Sequence, residues 1–330
     1  MKKILVTGAS GFIGQNICGE LIKLNWPVCG TVRNLDSLSI NNDFRYISVG
    51  DIGPKTNWDN ALKGIDCVVH CAGKAHEMNN GKDLDVYRLV NTEGTRHLAE
   101  KAAEAGVKRL VFLSTVKVNG ENIDKIDSNK IFTNNDTPDP KDAYSISKFE
   151  AEKILWEISL RTDLEVVVVR LPLVYGRGVK GNLKRLIKFI NFVIPLPFSL
   201  INSQRSLIGI DNLVSVLIRC IENLEAKGKT FLVSDGKDLS TPNLLQHIAS
   251  VMGRSAHLFP VPISLLKFFG FVIGRQSEMN RLLGSLQVDI SYTREILKWT
   301  PPISVEAVSY THLRAHETVL DLVCRLLLEK

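Results

Sequence analysis

Met1-Lys2-Lys3-Ile4-Leu5-Val6-Thr7-Gly8-Ala9-Ser10-Gly11-Phe12-Ile13-Gly14 opens the chain, and the fold follows from how this stretch is read. Ile4, Leu5 and Val6 form a short apolar run of the kind shown by a strand buried on both faces. The run passes directly into a glycine turn, after which Phe12, Ile13, Ile17, Leu21 and Leu24 recur at helical spacing. Strand, glycine turn and helix, in that order, suit a dinucleotide pyrophosphate. Gly8 permits the tight turn, Gly11 lets the backbone approach the phosphates, and Gly14 lets helix pack close to strand. The unsatisfied N–H groups at the helix start add a partial positive charge. The spacing is G-x-x-G-x-x-G, and an ordinary glycine-rich turn is the alternative. The setting between a strand and a helix favours the dinucleotide.

The rest of the chain extends this unit. Apolar runs at about Val28–Val32, Arg45–Val49, Cys67–Cys71, Arg109–Leu113 and Glu165–Leu171 read as strands. Helical patterns at about Leu84–Ala105, closed by Gly106, and Ala143–Arg161 lie between them. Alternation of this kind predicts an α/β fold: a Rossmann-type, doubly wound parallel sheet. Residues 1–171 are expected to bind NAD(P). After Pro172 the pattern loosens through Gly176, Gly178 and Gly181, a helix is expected near Asn182–Val193, and residues 172–307 are read as a smaller C-terminal substrate-binding lobe interleaved with the sheet.

Bulk properties exclude several classes. The chain has 330 residues, of which 45% are hydrophobic and 23% charged, enough for one large or two modest domains. The net charge is +6, with basic residues concentrated only in Val179–Lys188, so no nucleic-acid partner is expected. The six cysteines (18, 29, 67, 71, 220 and 324) show no paired spacing and read as reduced thiols of a cytoplasmic protein. Met1 leads straight into the first strand, so no signal peptide is expected. Leu186–Ile201 is the most apolar stretch, but Lys188, Pro195 and Pro197 interrupt it and it is too short to span a bilayer. No membrane partner is expected.

The segment Val308-Ser309-Tyr310-Thr311-His312-Leu313-Arg314-Ala315-His316-Glu317-Thr318 resembles a transposase-type sequencing adapter translated in frame. Leu322–Lys330 resembles the far end of the same adapter. Residues 308–330 are therefore read as a non-native tail standing where the native end should continue. His312, His316 and Glu317 have the spacing of a helical metal pair, but no metal site is expected there.

The chemistry concentrates on Tyr144 and Lys148, four residues apart and so on one helical face. A phenol with a pKa of about 10 is a poor acid–base group at neutral pH. A nearby ammonium stabilises its phenolate, making proton exchange with a sugar hydroxyl or ketone feasible. A surface helix with the same spacing by chance is the alternative. Thr115 ends a strand, where such sheets face their ligand crevice. Its hydroxyl can hold the same substrate oxygen, or merely satisfy backbone groups.

Together, the glycine turn, Thr115, Tyr144 and Lys148 resemble the extended short-chain dehydrogenase/reductase family, of the NAD-dependent epimerase/dehydratase type. The resemblance covers Met1 to about Ala307. Val49-Gly50-Asp51-Ile52 resembles the family's adenine loop, Cys71-Ala72-Gly73 its turn beside the cofactor, and Asn91-x-x-Gly94-Thr95 its helix motif. Arg170-Leu171-Pro172-x-Val174-Tyr175-Gly176 resembles the segment bordering nicotinamide and substrate. Leu297-Lys298-Trp299-x-Pro301 resembles the closing motif.

The resemblance implies a cofactor site of Gly8, Gly11, Phe12, Ile13, Gly14, Arg33, Asp51, Ile52, Ala72, Gly73, Asn91, Lys148 and Pro172. It implies a substrate site of Thr115, Lys117, Tyr144, Asn182, Arg205 and Arg281, the arginines facing a nucleotide-sugar diphosphate. Many relatives carry Tyr before the glycine where this chain has Asn119, a change that bears on the sugar. An acid after the second strand would hold an NAD ribose, but Arg33 stands there and suits a 2′-phosphate. NADP is therefore favoured over NAD, the alternative being a solvated arginine. The implied reaction is hydride transfer at C4 of a UDP-sugar, by a 4-ketoreductase of surface-polysaccharide synthesis or, alternatively, a UDP-glucose or UDP-N-acetylglucosamine 4-epimerase. A 4,6-dehydratase would want an acidic pair where Val116 and Lys117 stand. A non-catalytic dinucleotide-binding scaffold would be expected to have lost Tyr144 or Lys148. Relatives of this kind pair two long helices into a homodimer.

Overall fold

The structure is a computed structural model that describes residues 2–35, 44–75, 83–121, 130–176, 190, 194–251, 254–274, 279 and 282–304. Its first half runs β1 (Ile4–Thr7), α1 (Phe12–Lys23), β2 (Val28–Val32), β3 (Arg45–Ser48), α2 (Asp59–Leu62) and β4 (Cys67–His70). Then follow α3 (Leu84–Tyr87), a π-helical turn (Arg88–Glu93), α4 (Gly94–Glu104), β5 (Arg109–Thr115), β6 (Ile131–Phe132), α5 (Ala143–Arg161) and β7 (Glu165–Leu171). The second half has β8 (Leu173–Tyr175), β9 (Gln204–Arg205), β10 (Leu207–Gly209), α6 (Ile210–Glu222) and β11 (Lys229–Leu232). It ends with β12 (Leu239–Ser240), α7 (Thr241–Val251), α8 (Ile263–Val272), β13 (Gln287–Val288) and α9 (Ser291–Leu297).

Seven strands form one sheet in the order β11-β7-β5-β4-β1-β2-β3, every pair parallel. Strand periodicity sorts the core. Ile4, Val6, Val111, Leu113, Val167 and Val169 face one layer, with Ile17 and Leu21 of α1 and Leu213 and Leu217 of α6. Leu5, Val68, Leu110, Phe112, Val166 and Val168 face the other, with Leu98 of α4 and Leu155 of α5. Burial on both faces is why these strands read as unbroken apolar runs.

Most expected elements stand within a residue of their sequence limits. The expected helix over Leu84–Ala105 is α3, the π turn and α4 in succession. The sheet also extends beyond Leu171, because β11 pairs with β7 as its outer strand. A strand from beyond residue 172 is therefore part of the main sheet. Just beyond β11, Asp235 holds β8, β10 and the start of α6, accepting from Tyr175 Oη at 2.7 Å, Asn212 Nδ2 at 2.7 Å and the Gly209 N–H at 2.9 Å. The helix expected near Asn182–Val193, apart from Ile190, and the tail at 308–330 lie outside the described residues.

Candidate active site

The carboxyl ends of β1, β4, β5 and β7 share one edge of the sheet, since Thr7 is level with His70 and Thr115 with Leu171. The expected cofactor and catalytic residues gather along that edge. Gly8 has φ +65°, and a Cβ there would lie 2.9 Å from Ala72 Cα. A Cβ on Gly14 would lie 2.2 Å from the Gly8 carbonyl oxygen, so α1 starts hard against the turn. Gly11 caps α1 without a side-chain hydrogen bond. Phe12 and Ile13 pack on the core beside it. The cradle therefore fits a dinucleotide on its own geometry, with the first-turn N–H groups of α1 as donors.

Asn91 holds the second cofactor turn. Its Oδ1 accepts from the Lys74 N–H at 2.8 Å, and its Nδ2 donates to the Lys74 carbonyl and to Ser147 Oγ, each at 3.0 Å. Asn91 lies in the π turn, whose extra residue per turn re-aims the side chains before it relative to α4. Gly73 is needed beneath, because a Cβ there would lie 3.1 Å from Asn91 Oδ1 and 3.3 Å from Lys148 Nζ. Ile52 packs where Gly94 leaves room, and Pro172 joins β7 to β8. Arg33 and Asp51 meet, Nε to Oδ1 at 2.7 Å, with both side chains mostly exposed.

Beneath the turns lies a chain that motif reading does not reveal. Thr7 Oγ1 accepts from the Ala72 N–H at 3.2 Å and is hydrogen-bonded to His70 Nδ1 at 2.6 Å. On the other side of the ring, His70 Nε2 is hydrogen-bonded to Thr95 Oγ1 at 3.1 Å. Burial, with Lys148 adding to it, depresses the His70 pKa to about 3. The neutral ring contributes its full stability above the ordinary value of 6.5. Below that, the unfolded chain binds a proton that the folded chain refuses. Stability should then fall by about 1.4 kcal/mol per pH unit toward pH 3. Thermal midpoints measured against pH should show this slope, and His70→Gln should remove it; equal slopes would discard the assignment.

Helix α5 opens with a reciprocal cap. Asp142 accepts from the Ser145 N–H at 2.7 Å while Ser145 Oγ accepts from the Asp142 N–H at 3.1 Å. Tyr144 is thereby fixed in the first turn, half-buried, with its ring edge-on to Tyr87 at 6.2 Å. Burial, Asp142 and Tyr87 push its phenol well above the ordinary value. One turn on, Lys148 is buried. Its Nζ donates to the Leu113 carbonyl at 2.9 Å and lies 4.4 Å from the Phe112 ring centre. Burial lowers its pKa to about 8, opposed by Cys71 and Glu152. Thr115 Oγ1 accepts from the Lys117 N–H at 3.3 Å, the backbone alternative, and still carries a proton to donate.

Lys117, expected at the substrate, is engaged within the protein. Its ammonium pairs with Asp142 at 2.7 Å and with Glu121, so it steadies the cap of α5. Asn119 is likewise turned inward. It accepts from Arg170 Nη1 at 2.9 Å and donates to the Thr133 carbonyl at 3.1 Å. Arg170 and Glu152 form a buried pair, Nη2 to Oε2 at 2.6 Å and Nε to Oε1 at 3.1 Å. Ser114 Oγ adds a bond of 2.5 Å to Glu152 Oε1. Glu152 was not among the expected site residues, although its position one turn beyond Lys148 was the available signal.

In the lobe, Arg205 Nη2 donates to the Gly284 carbonyl at 2.7 Å. Its buried Nε has no hydrogen-bond partner among the described residues, an orphan donor that suits an anionic oxygen. Burial lowers the guanidinium pKa, with Glu121 opposing. Asn182 and Arg281 lie outside the described residues.

A family model for the NAD dependent epimerase/dehydratase family matches residues 4–234. The chain is 41% identical over 310 residues to a UDP-glucose 4-epimerase of Vibrio cholerae, covering 92% of each chain. It is 26% identical to the N-acetyl-alpha-D-glucosaminyl-diphospho-ditrans,octacis-undecaprenol 4-epimerase of Escherichia coli O157:H7, covering 82% of this chain and 79% of the other. Among solved structures, the UDP-glucuronic acid 4-epimerase of Bacillus cereus in complex with NAD superposes with a TM-score of 0.76 at 22% identity, over 96% of this chain and 99% of the other. That likeness shows a shared fold. The chain belongs to the NAD dependent epimerase/dehydratase family and is an enzyme of its epimerase and reductase type.

Proposed function

We propose that this enzyme is a UDP-hexose 4-epimerase that works on one bound NAD. The observation that carries the reading is the 41% identity over 92% of both chains with a UDP-glucose 4-epimerase. It moves the alternative from the sequence ahead of the 4-ketoreductase. Arg33, the residue behind the reductase and NADP reading, is paired with Asp51, which weakens its claim to a 2′-phosphate.

Bound NAD would supply the hydride acceptor and donor for sugar C4. The chain's own residues handle the proton and the binding. Tyr144 takes the C4 hydroxyl proton and gives it back, and Thr115 orients that oxygen by donating to it. Lys148 would hold the nicotinamide ribose, and its positive charge would offset the burial that raises the Tyr144 phenol. Arg205 offers its orphan Nε to the diphosphate, and Asn182 and Arg281 are proposed beside it. We place the enzyme in the cytoplasm as a homodimer paired through α3, α4 and α5.

The test uses the purified chain with UDP-glucose, NAD and no reductant. UDP-galactose should form with no net change in reduced nicotinamide. If UDP-glucose is untouched while UDP-4-keto-6-deoxy-N-acetylglucosamine consumes NADPH stoichiometrically, the ketoreductase reading replaces this one.

A further inference from the structure

We propose that the outer face of α8 docks this protein on the surface of an anionic lipid bilayer. Helix α8 turns only Leu266 and Gly270 inward, one turn apart. Most of the rest of its surface is apolar and exposed: Phe268, Phe269, Phe271 and Val272, continued by Ile273, with Phe271 and Ile273 each 67% accessible. Phe259 leads into this face through Pro260-Val261-Pro262 and is itself exposed. Within the helix only Ser264 and Lys267 are polar. A helix apolar on all sides normally lies inside a core or in lipid, and patches of this kind on a surface mark a binding face.

Ten residues make about 15 Å of helix, half of what a bilayer core requires. No described helix is long and apolar enough to cross a membrane. The helix therefore suits lying in the interface, with phenyl rings among the upper acyl chains.

Charge selects the occupant. Helix α8 and the stretch leading into it, residues 254–274, contain no Asp or Glu and carry Arg254 and Lys267. Lys267, exposed in the middle of the apolar face, can extend its stem to a headgroup phosphate. A second copy is a poorer fit. Two-fold packing of this face would bring Lys267 toward its own copy, with no carboxylate in the stretch to neutralise it. The proposal revises the sequence expectation of no membrane partner, and it does not depend on which sugar is turned over.

The test sediments the full chain with vesicles of phosphatidylcholine alone or mixed with phosphatidylglycerol. The wild type should pellet with the mixed vesicles and less with the neutral ones, and added salt should weaken the binding. Phe268→Ser with Phe271→Ser should reduce the bound fraction about tenfold at an unchanged thermal midpoint. Lys267→Glu should reduce it as well, leaving the apolar face intact. A wild type that stays in the supernatant with the mixed vesicles overturns the proposal. So does equal pelleting of wild type and double variant, or light scattering that shows the face consumed in self-association without vesicle binding.

Discussion

Tyr144→Phe is expected to lower kcat by about 10²–10⁴-fold, the usual contribution of a positioned proton-transfer group, with almost no change in thermal midpoint. Phenylalanine keeps the edge-on packing against Tyr87 and loses only the hydroxyl. Lys148 gives the companion pH dependence. In the free enzyme its pKa is about 8 against an ordinary 10.5, so kcat/KM should fall as the pH rises through about 8 and the ammonium is lost. The stability sign runs the other way. Between pH 8 and 10.5 the unfolded chain keeps a proton that the folded chain has released, so this group makes the fold more stable as pH rises. Below pH 8 the buried ammonium is a strain, and Lys148→Met should raise the midpoint at neutral pH while removing activity. A Tyr144→Phe enzyme with wild-type turnover would end the assignment of the proton to this phenol.

Glu152→Leu is expected to destabilise the fold by about 3–5 kcal/mol, because it leaves the Arg170 guanidinium buried without its carboxylate. Ser114 loses its partner at the same time, and Ser114 precedes Thr115 at the end of β5. Glu152→Gln keeps the shape and some hydrogen bonds, so it should fall between leucine and wild type. Denaturant midpoints of the three proteins check the order. A leucine variant as stable as the wild type would mean that the pair holds nothing together.

The glycine turn was legible because its requirements are local. Gly8 must take a positive φ and Gly14 must approach its carbonyl, and both demands leave a mark in consecutive residues. Tyr144 and Lys148 were legible for the same reason, as four residues on one helix define a face. The Ser114–Glu152–Arg170–Asn119 cluster was not, since its members come from three separate elements and the turn after β5. No spacing in the chain states that β5, α5 and β7 converge there. Lys117 shows the converse. Its position beside Thr115 suggested substrate, and only folding shows that its ammonium also pairs with the cap residue Asp142. The π turn was hidden because residues at helical spacing on both sides of it read as one continuous helix.

The outer place of β11 has a consequence during synthesis. Strand β7, with its run Val166–Val169, leaves the ribosome long before its partner Lys229–Leu232 has been made. For that interval the nascent chain carries an apolar strand with one unpaired edge, the kind of template that recruits other strands. A holding chaperone would find its best target there, and translational pauses placed before Lys229 would lengthen the exposure.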